Sequence, residues 1–168
     1  MRGRGPTSAP LVLATVLAAC SASGIEGGVY RSSKGYAVKL PEDGWRVQSS
    51  RDADLELKRD EPPGGMLADA TCDGRERGRP LPVLARHLTF GLGDRETLES
   101  GARTIAGRPA TRQILRGSID GTPVQVEAIV IEGPRCIHDF LYVAPVAAFD
   151  AGRPDFEALV DSLSGPAR

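Results

Sequence analysis

The three cysteines of this chain are the residues with the most definite chemistry, and the first of them follows an apolar stretch. Residues 9–19 are almost wholly apolar, and Arg2 and Arg4 precede them. This stretch is too short to span a bilayer, which needs about 20 residues in a helix. A basic start and a short apolar segment that ends in small residues are typical of a secretion signal. Residues 1–19 are therefore predicted to be a signal peptide that is removed on export.

The end of this signal resembles the lipobox of bacterial lipoproteins. Its residues are Leu17-Ala18-Ala19-Cys20. In that family the cysteine receives a diacylglycerol, the signal is cleaved before it, and the new amino group is acylated. The resemblance implies that Cys20 becomes the first mature residue and carries acyl chains such as palmitate. A plain signal peptide with a coincidental cysteine is the alternative.

The lipobox resemblance also implies a location. The chain is expected to be anchored by lipid in a bacterial cell envelope. Ser21 follows the lipidated position, and an aspartate there would resemble an inner-membrane retention signal of Gram-negative bacteria. Its absence favours the outer membrane, facing the periplasm, if the source is Gram-negative.

Cys72 and Cys136 are the two cysteines that stay in the mature chain beside Cys20. Outside the cytoplasm an even number of cysteines usually pairs. We therefore predict a structural disulfide between Cys72 and Cys136. Two buried free thiols or a redox-active pair are the alternatives, although the wide spacing differs from a Cys-x-x-Cys motif.

Composition and charge exclude several functional classes. The chain has 168 residues, with 21 Lys and Arg against 22 Asp and Glu and a net charge of −1. A nucleic-acid partner is not predicted, because such proteins usually carry a basic excess. The only histidines, His87 and His138, form no motif with ligand spacing such as His-Glu-x-x-His. We predict no metal site, no cofactor and no catalytic residue.

Hydrophobic periodicity predicts strands in two groups, each followed by a helix. A helix is predicted for residues 82–92, and a second helix is predicted to open at Pro154 and to end at Gly165. The apolar face of the first helix consists of Leu81, Leu84, Ala85, Leu88 and Leu92. The predicted strands are residues 29–31, 36–40, 53–58, 66–72, 97–104, 109–117, 124–132 and 136–144.

This order of elements predicts the α+β class: an antiparallel β-sheet of about six to seven strands with two main helices packed on it. The last strands are joined by Ala-Gly, Asp-Gly and Gly-Pro turns, which indicate an antiparallel meander. Residues 1–19 are the signal, 20–28 a lipidated flexible tether and 29–165 a single domain.

Several phrases of the chain resemble the PsbP-like (DcrB-like) fold group of small envelope lipoproteins. They are residues 35–41 (Gly-Tyr-Ala-Val-Lys-Leu-Pro) with Gly44-Trp45, residues 105–110 (Ile-Ala-Gly-Arg-Pro-Ala), and an ending that contains residues 142–145 (Tyr-Val-Ala-Pro) and 156–163 (Phe-Glu-Ala-Leu-Val-Asp-Ser-Leu). The resemblance covers residues 29–165. It implies a non-enzymatic protein that assists assembly or binds another protein, and it supplies no catalytic residues. The pair Cys72 and Cys136 is not a general feature of that group.

An arginine-rich stretch is the most prominent polar feature. Residues 73–86 carry four arginines against two acidic residues. Such a stretch could meet anionic lipid headgroups or an acidic partner, and a solvated loop is the alternative. The candidate interaction patch consists of Arg75, Arg77, Arg79 and Arg86.

These features together predict a lipid-anchored, non-enzymatic envelope protein that binds or helps assemble another envelope protein. Its expected partners are the membrane, through Cys20, and a protein. A carrier or sensor that holds a small apolar or anionic ligand between sheet and helices is the alternative. An enzyme would need a convergent polar site, which the sequence does not display.

The lipid anchor has a direct test. We expect Cys20→Ala to abolish lipidation and membrane retention, because the thiol is the acyl acceptor. Labelling with radioactive palmitate and membrane fractionation measure this. Undiminished labelling of the variant would contradict the anchor.

Overall fold

The computed structural model describes residues 22–165 of the chain, so the predicted signal and Cys20 lie outside the described residues. The strands and helices follow one another along the chain largely in the predicted order. The elements are β1 (Gly24–Glu26), β2 (Val29–Arg31), β3 (Ala37–Lys39), β4 (Arg46–Gln48), β5 (Leu55–Arg59), β6 (Gly64–Thr71), α1 (Leu81–Leu88), β7 (Gly93–Ile105), β8 (Arg108–Ile119), β9 (Thr122–Glu132), β10 (Ile137–Pro145) and α2 (Phe149–Asp161).

Seven strands form one antiparallel sheet in the order β4-β5-β6-β10-β9-β8-β7, and β1, β2 and β3 form a second, smaller sheet. The α+β class and the two packed helices are therefore confirmed. A two-residue turn, Ala106-Gly107, joins β7 to β8, and another, Asp120-Gly121, joins β8 to β9. Both residues of each turn have positive φ. Such turns match the right-handed twist of paired strands, so the predicted meander forms.

Strand alternation gives the large sheet two apolar faces, and each helix covers one of them. On one face Leu84 and Ala85 of α1 pack on Val130 and Ile137. The other face carries Phe140 and forms the main core with α2 and the small sheet. In the described part of the chain, no helix is both long and apolar enough to cross a membrane.

Helix α2 is held on the sheet by an unusually close approach to Tyr142. The Tyr142 hydroxyl donates a hydrogen bond to the carbonyl oxygen of Phe149 at 3.0 Å. A Cβ at Gly152 would lie 2.4 Å from that hydroxyl oxygen and 2.6 Å from Arg59 Nη2. Arg59 Nη1 and Trp45 Nε1 both donate to Asp155 Oδ2, at 2.8 and 2.9 Å. Only glycine at position 152 permits this packing.

A buried ion-pair network joins α2 to the sheet at a second place. Glu127 of β9 has no exposed surface and accepts hydrogen bonds from Arg112 Nε at 2.5 Å and from Arg153 Nε at 3.1 Å. Burial raises the pKa of the Glu127 carboxyl to about 7, and the Arg112 guanidinium opposes that rise. Loss of one partner of such a pair leaves a buried charge uncompensated, so this network orients α2.

Both helices differ from their predicted bounds. Helix α1 ends at Leu88, and Leu92 instead joins a separate apolar cluster with Leu115 and Val126. Helix α2 begins at Phe149, so Pro154 lies inside it instead of opening it. A proline at this position removes the hydrogen bond to the Asp150 carbonyl and crowds that carbonyl with its ring, at a cost of about 3 kcal/mol. Burial of Phe149 and Phe156 against the sheet offsets that cost.

The segment predicted as a flexible tether contains a strand. Residues 24–26 form β1, which pairs with β2 so that Gly24 lies opposite Arg31. The small residues of this segment predicted a flexible chain and not this pairing, because β1 is exposed along its whole length and shows no apolar alternation. The free length between Cys20 and the folded domain is correspondingly shorter.

The predicted disulfide is present in the structure. Cys72 follows β6, Cys136 precedes β10, and their Cα atoms are 4.1 Å apart. The bond joins neighbouring strands across a sequence separation of 64 residues. In the chain-entropy account, closing a loop of this length disfavours the unfolded state by about 4 kcal/mol.

We therefore expect reduction of the Cys72–Cys136 bond to lower the melting temperature by about 10 °C. Thermal unfolding with and without reductant measures the shift, and a non-reduced tryptic digest confirms the linkage. The Cys72→Ala/Cys136→Ala variant, which has no bond to reduce, is the control for effects of the reductant. An unchanged melting temperature in the parent protein would contradict a stabilising role.

Asp139 makes stability depend on pH. It lies in β10, its Oδ1 has no hydrogen-bond partner among the described residues, and burial raises the pKa of its carboxyl to about 7. Glu76 and Asp69 add to that rise. Because the folded pKa lies above the ordinary value of 3.8, ionisation of this group costs stability as the pH rises from about 4 to 7.

We expect Asp139→Asn to be more stable than the parent at pH 8, by roughly 3 kcal/mol or less, and to lose this advantage near pH 4. Urea unfolding at both pH values measures the difference. Asp52→Asn, which removes an exposed carboxyl, controls for the loss of one negative charge. An advantage of equal size at both pH values would contradict the argument.

Candidate functional site

Both ends of the described chain lie at one end of the large sheet, which we call the terminal end. It is the end where β10 begins at Ile137 and β9 finishes at Glu132. Here the Ser33 amide donates to Ser23 Oγ at 2.9 Å, and Ala37 pairs with Ser164. The first and last described residues are therefore held beside the turn between β2 and β3.

The arginine-rich stretch begins at the terminal end, directly after Cys72. Arg77 Nη2 donates to the carbonyl oxygen of Pro134 at 2.6 Å, which places it beside the disulfide. Arg75 forms an ion pair with Asp73. Arg79 is exposed in the same loop, whereas Arg86 lies in the last turn of α1. The structure thus separates Arg86 from the other three arginines of the predicted patch by most of a helix.

Three further arginines lie at the terminal end, and the sequence analysis missed them. Arg108 and Arg135 line a small cavity of about 50 Å³ together with Lys34, Tyr36 and His138. Arg31 is exposed in β2 and lines a neighbouring groove that shares Gly35 and Tyr36 with the cavity. These arginines adjoin three different turns, so they form no contiguous stretch. Alternate turns of a meander lie at the same end of a sheet. The positions of these arginines beside predicted turns could therefore have indicated that they lie together.

His138 lines this cavity but carries no charge at neutral pH. It is buried, and its ring packs edge-on against Tyr36 with 5.3 Å between ring centres. Burial lowers the pKa of His138 to about 4, and the positive charge of Arg108 adds to this. His87 is exposed on α1. Within residues 22–165, no three His, Cys, Asp or Glu side chains are grouped so that they could hold a metal ion.

The opposite end of the sheet, which we call the distal end, carries exposed apolar side chains among its polar ones. It is the end where β8 finishes, β7 begins and β10 finishes at Pro145. Phe90, in the link from α1 to β7, is 84 % exposed, and Ile119 at the end of β8 is 41 % exposed. Val146 after β10 is also exposed, and Leu98 is exposed further along β7, opposite the middle of β8. Large apolar side chains in this exposure range mark interaction surfaces when they occur together.

A groove beside α1 is large enough to hold a small ligand. It has a volume of about 490 Å³ and lies between Leu81 and Pro82 of α1 and residues of β7 and β8, among them Ala102, Thr104 and Pro109. Small-molecule sites have volumes of about 300–1,000 Å³ and are mostly apolar. The groove has that size, and among the described residues Arg103 is the charged side chain that lines it.

No protein-family model matches the chain, and no curated protein sequence is significantly similar to it. Several solved structures are similar to this chain in fold. Cyanobacterial PsbP (CyanoP) from Synechocystis sp. PCC 6803 superposes with a TM-score of 0.63 at 15% identity, covering 89% of this chain and 99% of that one. LpqN, described as involved in cell envelope biogenesis of Mycobacterium tuberculosis, superposes with a TM-score of 0.55 at 15% identity, covering 78% of this chain and 83% of that one.

A protein of unknown function from Pseudomonas aeruginosa, PA94, described as a putative regulator, superposes with a TM-score of 0.51 at 16% identity, covering 83% of this chain and 97% of that one. Identities this low carry information about the fold alone. The shared architecture spans nearly the whole described domain. The chain therefore has the PsbP-like fold that its turn and core motifs predicted.

Proposed function

We propose that this chain is a lipid-anchored, non-enzymatic envelope protein that binds another envelope protein through its distal end. The observation that carries the proposal is the exposure of the large apolar side chains Phe90 and Ile119 near that end. The lipobox-like segment at Cys20 supplies the anchor. The domain supplies the surface.

Phe90 is the strongest single argument for a protein partner. Its side chain is 84 % exposed in a chain whose other three phenylalanines are fully buried. Exposure of an aromatic ring to water is unfavourable, and aromatic residues are enriched among the side chains that dominate binding energy. Leu92, two residues further on, is buried. The link between α1 and β7 therefore exposes Phe90 to solvent and buries Leu92.

The contacts of the buried charged groups support a non-enzymatic role. Glu127 and Arg112 hold α2 on the sheet through Arg153, and Arg59 holds it through a second ion pair with Asp155. These groups are neutralised by one another within the core. A catalytic acid or base would need to reach a substrate.

The fold similarities agree with this proposal. LpqN is described as involved in cell envelope biogenesis, and it shares the fold. Proteins with one fold have many functions, so the similarity adds to the argument from Phe90 and does not replace it.

A small-ligand carrier is the second candidate, and the groove beside α1 is the observation that favours it. Native mass spectrometry of the protein purified from its own cells tests it. A retained small molecule, lost when Ala102→Trp fills the groove, would favour the carrier over the protein-binding function.

The protein partner is tested by photo-crosslinking in cells. A photoreactive amino acid at position 119 lies at the distal end, and we expect it to yield one discrete adduct with another envelope protein. Phe90→Ser should weaken binding by about 2 kcal/mol, a factor of roughly 30, and so remove most of the adduct. Ile25→Ser, which removes an exposed apolar side chain far from the distal end, should leave the adduct unchanged.

Because Phe90 is exposed, its replacement by serine should not change the melting temperature. That measurement separates loss of binding from loss of folding. The absence of any adduct at position 119, or an adduct that Phe90→Ser leaves intact, would contradict the proposal.

A further inference from the structure

We propose that the terminal end docks on the anionic phospholipid headgroups of the membrane that holds the acyl chains of Cys20. This inference rests on the lipid anchor of the proposed function. It adds a second contact with the membrane, made by arginine side chains, and it assigns the domain one orientation.

The length of chain between the anchor and the domain is the first argument. Ser23 is already held by the domain, through the hydrogen bond from the Ser33 amide to its Oγ. Two residues, Ser21 and Ala22, lie between Cys20 and Ser23, so the chain has three Cα–Cα steps from the anchor to the domain. A fully extended chain spans at most about 3.6 Å per residue, or roughly 11 Å in total. The polar layer of a bilayer leaflet is itself about 5–8 Å thick, so the terminal end cannot leave the neighbourhood of the headgroups.

The charge of the terminal end is the second argument. Arg31, Arg77, Arg108 and Arg135 all lie there, and none of them forms an ion pair with a carboxylate in the described part of the chain. Lys34 differs, because it is already paired with two aspartates. The carboxylates at this end without an ion pair in the described part of the chain are Glu132, which is exposed, and Glu76, which lies in the same loop as Arg77. The guanidinium groups therefore outnumber the free carboxylates around the cavity.

Guanidinium groups suit phosphate for a geometric reason. Their planar forks bind two phosphate oxygens at once, and they lose less hydration energy than an ammonium group. Electrostatic attraction acts over a Debye length of about 8 Å at physiological salt. The tether holds the arginines near this distance from lipid phosphates. An acidic protein would have to displace the membrane from this surface, so we assign it to lipid.

Docking at the terminal end also determines where the distal end points. Strand β8 runs from Arg108 to Ile119, and a strand rises about 3.3 Å per residue. Ile119 and Phe90 would therefore lie some 35 Å from the headgroups. The apolar surface is then presented to a partner, away from the lipid.

The test uses the mature lipoprotein, purified from membranes and inserted from detergent into the outer leaflet of preformed vesicles. One set of vesicles is phosphatidylcholine alone, and in the other a third of the lipid is phosphatidylglycerol. Phenylglyoxal modifies accessible arginines, and mass spectrometry reports the rate at each position. We expect Arg77 and Arg108 to react at least about fivefold more slowly on the anionic vesicles, a factor that corresponds to one arginine bound at a charged surface.

Arg116 lies near the distal end of β8 and is the internal control; its rate should be the same on both vesicles. The Arg31→Gln/Arg135→Gln variant alters two exposed side chains and should abolish the slower reaction of Arg77 and Arg108. The Lys58→Gln/Arg116→Gln variant removes the same amount of charge toward the distal end. It should preserve the slower reaction of Arg77 and Arg108. Salt at about 0.5 M, which shortens the Debye length to roughly 4 Å, should also abolish the difference.

The outcomes separate this inference from the proposed function. An intact mass without acyl chains would disprove the anchor and, with it, the docking. Acylated protein whose arginines react equally on both vesicles would overturn the docking alone. Protection that occurs in native membranes but in neither type of vesicle would show a protein at the terminal end, and would likewise overturn it.

Discussion

The packing of α2 against Tyr142 is the contact on which the rest of the structure depends. Tyr142 lies at the centre of the large sheet, is fully buried, and packs against Phe149 and Phe156 of α2. Gly152 permits this approach because any side chain there would overlap the tyrosine hydroxyl. Since α2 runs back along the sheet, it returns the chain from the distal end to the terminal end.

This return has a functional consequence, because it brings the two ends of the described chain together. Ser164 pairs with Ala37, and Ser23 is bound by the turn between β2 and β3. The arginines lie at this end, whereas Phe90 and Ile119 lie at the other. A chain anchored at Cys20 would thus have a charged surface toward the membrane and an apolar surface away from it, without any further domain.

The charged groups of the core are placed for structure. Glu127 is surrounded by Arg112 and Arg153 and positions α2. Asp139 lacks such a partner within residues 22–165, and burial raises the pKa of its carboxyl. Burial without compensation costs stability in the ionised form. The paired buried charges thus position parts of the fold, whereas the exposed guanidinium groups and the exposed Phe90 and Ile119 lie at the two ends of the sheet.

The sequence by itself determined the α+β class, the meander and the pairing of Cys72 with Cys136, because periodicity, turn residues and cysteine number are local or countable properties. It did not predict β1, the start of α2 at Phe149, or the position of Leu92, since tertiary packing decides these against local preference. It also predicted a contiguous arginine patch. Only the tertiary structure brought Arg31, Arg108 and Arg135 to one end and separated Arg86 from them, because turns distant in sequence meet where antiparallel strands end.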